Sequence, residues 1–123
     1  MKSDLLTLAQ WLSPAFPVGA FAYSHGLETA IQSGGVVDSS TLQTWLEDVL
    51  VHGSGRVDLT LLAAAYSATG SKKLLEFDEI GRAFQPSAER LREADRMGAA
   101  FAKTVRDVWD LDVPNCLYPI AVG

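Results

Sequence analysis

The chain has 123 residues, of which 48% are hydrophobic and 20% charged, a composition typical of one folded globular domain rather than of a disordered segment. Fifteen acidic against ten basic side chains give a net charge of -5, so nucleic acid, which attracts basic surfaces, is not an expected partner. The first residues form neither a signal peptide nor a membrane span, and the single cysteine, Cys116, fits a reducing compartment. We expect one cytoplasmic domain spanning 1–123.

Two short helices are predicted at the beginning of the chain. Leucines and alanines at helical spacing predict a helix over 5–12, which Pro14 and Pro17 stop because proline lacks an amide donor and restricts the residue before it. A second helix is predicted over 21–31, and the glycine pair at 34–35 is typical of its C-terminus.

Four further helices follow, and the clearest begins after Asp38. Asp38 offers an N-cap oxygen to a helix whose hydrophobic residues between 42 and 50 recur at i, i+3, i+4 and i+7. Residues 57–68 predict a fourth helix that is apolar on most of its surface, and we expect it to be buried centrally. The remaining two are predicted over 72–84 and 88–109. No strand-like alternation is present, so the predicted fold is all-α, a bundle of about five to six helices without a sheet.

The end of the chain, LDVPNCLYPIAVG, is apolar and carries two prolines. We expect either that the fold continues past Gly123 or that a second chain covers this surface. On this interpretation the chain is a truncated form of a larger all-helical protein.

Candidate catalytic and metal-binding residues are few. Ser24 and His25 are adjacent, but neighbours on a helix point about 100 degrees apart, which disfavours a nucleophile and base pair. His25, His52 and Cys116 lack the i, i+4 or CxxC spacing of a local metal site, and the glycines do not form a GxxxxGKS/T phosphate loop. These patterns predict no catalytic site, no metal site and no tightly bound cofactor.

Three stretches carry a resemblance to a known family: SPAFPVGAFAYSHGLE at 13–28 with the following GG and TLQTWLEDVL, RAFQPSAERLREADRMGAAFAKTV at 82–105, and the closing YPIAVG. In this order and over nearly the whole chain, from Leu6 to Gly123, the sequence resembles the UreF family of urease accessory proteins. Members of that family are all-helical and roughly twice as long as this chain, so the resemblance corresponds to an N-terminal half.

The resemblance implies a function in nickel insertion. It implies a non-catalytic cytoplasmic adaptor that docks with a UreD/UreH-type protein on apo-urease and recruits and gates the UreG GTPase, with the nickel handled by the assembly. It also implies a homodimer. Two alternatives stay open: a direct nickel-binding carrier that uses His25, His52 or Cys116, and a helical interaction module in another pathway.

The proline- and glycine-rich stretch is the predicted docking or structural element. Its prolines leave little conformational entropy to lose, its glycines permit turns and close backbone packing, and rigid aromatic residues are favoured anchors at interfaces. The residues that we predict to frame this element are Pro17, Gly19, Tyr23, Ser24, His25 and Glu28. A role in the core alone is the alternative interpretation.

Overall fold

A computed structural model describes residues 2–123, and the side chains of all of these residues except Lys2 and Phe21. It contains a 3-10 turn at Ala20–Ala22 and seven α-helices: α1 Lys2–Trp11, α2 Leu27–Gln32, α3 Ser39–Val51, α4 Ser54–Tyr66, α5 Ser71–Ala83, α6 Ala88–Trp109 and α7 Tyr118–Val122. No strand is present within residues 2–123, which confirms the all-α fold. None of the helices in this range is both long and apolar enough to cross a membrane.

The helices with strong local signals begin where the sequence predicts. Asp38 caps α3: its carboxylate accepts a 2.8 Å hydrogen bond from the Thr41 amide, while the Thr41 side chain bonds back to the Asp38 amide. These reciprocal bonds satisfy amides that the first helical turn would otherwise leave unpaired. Ser87 caps α6 with a single bond, which its hydroxyl oxygen accepts from the Arg90 amide.

The prediction of one helix over 21–31 is wrong in its first half. The chain makes a single 3-10 turn at Ala20–Ala22, then an irregular segment, and enters α2 only at Leu27. Gly19, His25 and Gly26 all have positive φ, at 74°, 55° and 90°. A right-handed helix cannot continue through such residues, so the two positive angles before Leu27 separate the turn from α2.

Two helices, α4 and α7, lie at the centre of the fold, and the sequence did not predict α7 as a helix. Helix α7 contacts α4, α5 and α6, and α4 contacts α3, α5 and α7. Only Leu61 and Ala65 of α4 are buried, so this helix is less buried than its apolar sequence predicts. Close backbone contact brings α7 against α6 at Gly98: a Cβ atom there would overlap the Cys116 carbonyl oxygen and lie 2.8 Å from the Tyr118 amide nitrogen. Only glycine permits this approach.

Two hydrophobic clusters form the core. One joins α4 to the end of the chain, and its buried members are Leu61, Ala65, Cys116, Leu117 and Ile120. The other is aromatic and is centred on Phe101 of α6, whose ring lies 5.7 Å from Trp11, 5.4 Å from Phe16 and 5.9 Å from Tyr118. The proline-rich loop is therefore attached to the fold by packing on α6.

Several helices expose apolar side chains. Leu75 and Ile80 of α5 and Val108 of α6 are 48%, 50% and 63% exposed. On α1, Leu5 and Leu6 are both 68% exposed.

Candidate functional site

The SHGLE part of the proline- and glycine-rich stretch contacts α6 through His25. The Arg90 guanidinium donates a 2.5 Å hydrogen bond to Nδ1 of His25. A guanidinium has no acceptor, so Nδ1 must be the unprotonated ring nitrogen, and the proton of the neutral ring lies on Nε2. That nitrogen faces Glu93, 3.5 Å away, and Glu93 also lies 3.6 Å from Arg90.

The backbone of the loop sets this geometry. His25 has φ 55°, in the left-handed region that a residue with a side chain rarely adopts, and Gly26 follows at φ 90°. Arg90 and Glu93 lie three residues apart on α6, so their side chains leave the same face of the helix. A strained loop residue is thus held by two groups on one rigid helix.

These charges border a pocket of about 140 Å3 between the loop, α4, α6 and α7. Asp58 of α4 contributes a second carboxylate, and Tyr118 of α7 lies at the inner wall. Burial raises the pKa of the Asp58 carboxyl above its ordinary value of 3.8, and the negative charge of Glu93 adds to the rise, while the positive charge of Arg90 opposes it. Burial also raises the pKa of the Tyr118 phenol.

Asp58 and Glu93 differ in their partners. Glu93 lies within ion-pair distance of both Arg90 and His25. Among the described residues, no group donates a hydrogen bond to Asp58 and no cation lies within 4.0 Å of it. The pocket therefore combines Glu93, which two neighbouring side chains hold, with Asp58, which is partly buried and which no described side chain contacts through a hydrogen bond or ion pair.

The six residues predicted to frame the element are not brought together at this pocket. His25 alone among them lines it. Tyr23 packs against the aromatic core cluster, and Pro17 borders a separate surface depression beside Trp109. Gly19 and Glu28 are exposed, and Ser24 is partly buried. Their predicted roles in docking remain predictions.

The arrangement of Ser24 and His25 does not resemble a hydrolytic dyad. Both ring nitrogens of His25 face groups of α6, Arg90 and Glu93, rather than the Ser24 hydroxyl. A base already accepting a bond from a guanidinium is not available to take the proton of a hydroxyl.

The candidate metal ligands also lie apart. His52 is exposed at the end of α3, whereas Cys116 is buried, and burial raises the pKa of its thiol to about 11. A thiol with that pKa is protonated at neutral pH and is a poor metal ligand. Within the part of the chain that the structure describes, no group of three or more His, Cys, Asp or Glu side chains is placed to hold a metal ion.

An ionic network around the buried Asp78, which sequence reasoning missed, fixes the end of the chain to α5. The Asp78 carboxylate accepts a 2.6 Å bond from the Leu117 amide and a 2.7 Å bond from Arg82, and Arg82 also donates to Asp95 at 2.6 Å. The i, i+4 spacing of Asp78 and Arg82 could have indicated their pair. The bond to Leu117 spans 39 residues of sequence and has no local signal.

Comparison with known proteins gives one consistent result. A family model described as UreF matches residues 36–123. The chain is 54% identical over 124 residues to the urease accessory protein UreF of Roseobacter denitrificans, an alignment that covers 100% of this chain and 55% of that protein. It is 46% identical over 122 residues to the UreF of Ruegeria pomeroyi, with 99% and 56% covered.

A third relative shows the same coverage. The chain is 56% identical over 118 residues to the urease accessory protein UreF of Ruegeria sp. strain TM1040, which covers 96% of this chain and 55% of that protein. The chain thus spans about half the length of the curated relatives that it matches. No solved structure is detectably similar to it.

Proposed function

This chain belongs to the UreF family of urease accessory proteins, and from that premise we propose that it acts as a non-catalytic cytoplasmic adaptor in the insertion of nickel into apo-urease. The observation that carries the proposal is the family match over residues 36–123. Relatives at 46–56% identity that are named urease accessory proteins support it. Nickel is the cargo of the assembly in this proposal, and no tightly bound cofactor is required of this chain.

The proposed partners are a UreD/UreH-type accessory protein on apo-urease, a UreG-type GTPase and a second copy of the chain. An adaptor of this kind couples GTP hydrolysis to nickel release if its affinity differs between the nucleotide states of the GTPase. The free energy then comes from the nucleotide, and the docking surfaces supply specificity. Exposed leucines on α1, such as Leu5 and Leu6 at 68%, are the kind of surface that such partners cover.

The proline- and glycine-rich stretch is the proposed docking or structural element of this adaptor. Phe16 and Tyr23 anchor it on α6 in the aromatic cluster, and the bond from Arg90 to His25 holds its second half. A segment attached at both ends loses little conformational entropy when a partner binds. Pro17 and Gly19, which lie on the exposed side, are the first positions to substitute in a search for that partner.

A reconstituted activation assay tests the adaptor role. Apo-urease, the UreD/UreH-type protein, the UreG-type GTPase, GTP and Ni²⁺ are incubated with and without the chain, and urease activity is measured over time. We expect activation to require both the chain and hydrolysable GTP. Equal activation in the absence of the chain would refute an adaptor role.

A matched metal titration separates the adaptor from a direct carrier. Wild-type chain and the His25→Ala, His52→Ala and Cys116→Ala variants are titrated with Ni²⁺ by calorimetry. The adaptor proposal predicts weak binding that none of the substitutions changes. Tight binding that one of them abolishes would favour the carrier.

A further inference from the structure

A groove runs along the surface between α4 and α5 and ends at the charged pocket. It consists of three adjoining depressions of about 140, 260 and 220 Å3. The first two share Ser54, Asp58 and the Gln85–Pro86 turn, and the last two share Val57 and Phe84. The shared residues make the three depressions one continuous surface.

The apolar part of this groove is unusually open. Phe84, just after the end of α5, is 68% exposed, and Ile80 one turn earlier is 50% exposed. Val57 of α4 is partly buried and packs against the core beneath them. An exposed aromatic ring beside aliphatic side chains can bury more than 100 Å2 of its surface against a partner, which makes it an anchor of the type that dominates binding energy.

The charge at one end of the groove indicates what the partner carries. Asp58 lines both the charged pocket and the middle depression, and among the described residues it has no hydrogen bond or ion pair. Its neighbours Arg90 and His25 are engaged with Glu93. A partly desolvated carboxylate without a partner gains most from a cation that arrives together with the surface that covers it.

We propose that the groove between α4 and α5 docks an apolar segment of a partner protein, and that a lysine or arginine of that segment pairs with Asp58. The apolar residues of the segment cover Phe84 and Ile80. The pairing sets the direction in which the segment lies, because Asp58 lies at the charged end of the groove while Arg56 lines the apolar end.

Peptide probes test this docking mode without any accessory protein. Two amphipathic helical peptides are used that differ at one position on the edge of the apolar face, which is lysine in one and glutamate in the other. Each is titrated into the isotope-labelled 123-residue chain, and amide chemical shifts give both the affinity and the binding surface. The result is independent of the adaptor proposal, so the two can fail separately.

Three variants define the expected outcome. We expect the lysine peptide to bind about tenfold more tightly than the glutamate peptide and to shift the amides of α4 and α5, since a charge-assisted hydrogen bond contributes about that much. Asp58→Asn should abolish this preference. Glu79→Gln, which removes the same charge from an exposed site on α5 outside the groove lining, should leave the preference intact. Phe84→Ala should weaken both peptides severalfold.

Three results would overturn the proposal. One is a lysine preference that Asp58→Asn and Glu79→Gln reduce equally, which would reflect the general negative charge of the chain. Another is a set of shifts that lies outside α4 and α5. The third is a change in the chemical shifts of the groove amides when the concentration of the chain is raised without any peptide. That result would show that a second copy of the chain occupies the groove.

Discussion

Replacement of Gly98 by alanine tests whether α6 and the end of the chain are in backbone contact. The added methyl group would overlap the Cys116 carbonyl oxygen and approach the Tyr118 amide nitrogen to 2.8 Å, against about 3.4 Å for an ordinary contact. Alanine is favoured over glycine in a helix by about 1 kcal/mol. Overpacking of a core costs about 1–3 kcal/mol when side chains can move, and here the opposing atoms belong to the backbone.

We therefore expect Gly98→Ala to destabilise the protein by at least about 2 kcal/mol, which corresponds to a fall in Tm of roughly 8 °C. Gly81→Ala is the matched control, because its methyl group would meet only the side-chain ends of Leu61, at 3.0 Å, and Leu117, at 3.2 Å. It should change stability by no more than about 1 kcal/mol. Urea denaturation followed by far-UV circular dichroism measures both. A Gly98→Ala variant as stable as wild type would refute the packing described for α7.

Three further substitutions test the ionic groups. Asp78→Ala leaves the buried Leu117 amide without its acceptor, so we expect the free energy of unfolding, measured by urea denaturation, to fall by about 2–3 kcal/mol. Asp78→Asn keeps an acceptor oxygen and should recover part of this loss. Equal losses in the two variants would show that the acceptor is unimportant. Asp58 has a raised pKa in the folded state, so its contribution to stability is lost as pH rises through that pKa. Asp58→Asn should therefore unfold at a higher urea concentration than wild type at pH 7, and the two proteins should converge near pH 3. A difference in stability that does not change with pH would contradict burial as the cause. The carboxyl of the cap residue Asp38 has a lowered pKa because the Thr41 amide donates a hydrogen bond to it. Asp38→Ala should therefore lower Tm at pH 7, and its Tm should approach that of wild type as pH falls below 3.8. An unchanged Tm at pH 7 would rule out a stabilising cap.

Local chemistry explains which helices could be predicted from the sequence. Asp38 and Ser87 are cap residues followed by strongly amphipathic segments, and α3 and α6 begin directly after them. The break before α2 depends on His25, a non-glycine residue at positive φ, which Arg90 holds from 65 residues away. The sequence around His25 carries no information about that contact, and it therefore predicts one helix where the chain forms a turn and a shorter helix.

The fold centre and the site were harder to predict for the same reason. The helix α7 has five residues and a proline in its first turn, so its own sequence is a weak signal, and it is stabilised by contacts with α4 and α6. The pocket combines His25, Asp58 and Glu93 from three distant segments. The sequence singled out His25 alone among these, because it lies in the stretch that resembles the family motif.

Co-elution with the proposed partners tests the adaptor role most directly. The 123-residue chain is mixed with a UreD/UreH-type protein and then with a UreG-type GTPase and GTP, and size-exclusion chromatography with light scattering gives the mass of each complex. The adaptor proposal predicts a stable complex with the UreD/UreH-type protein and a further increase in mass when the GTPase is added with GTP. A well-folded chain that elutes alone in both mixtures would contradict it.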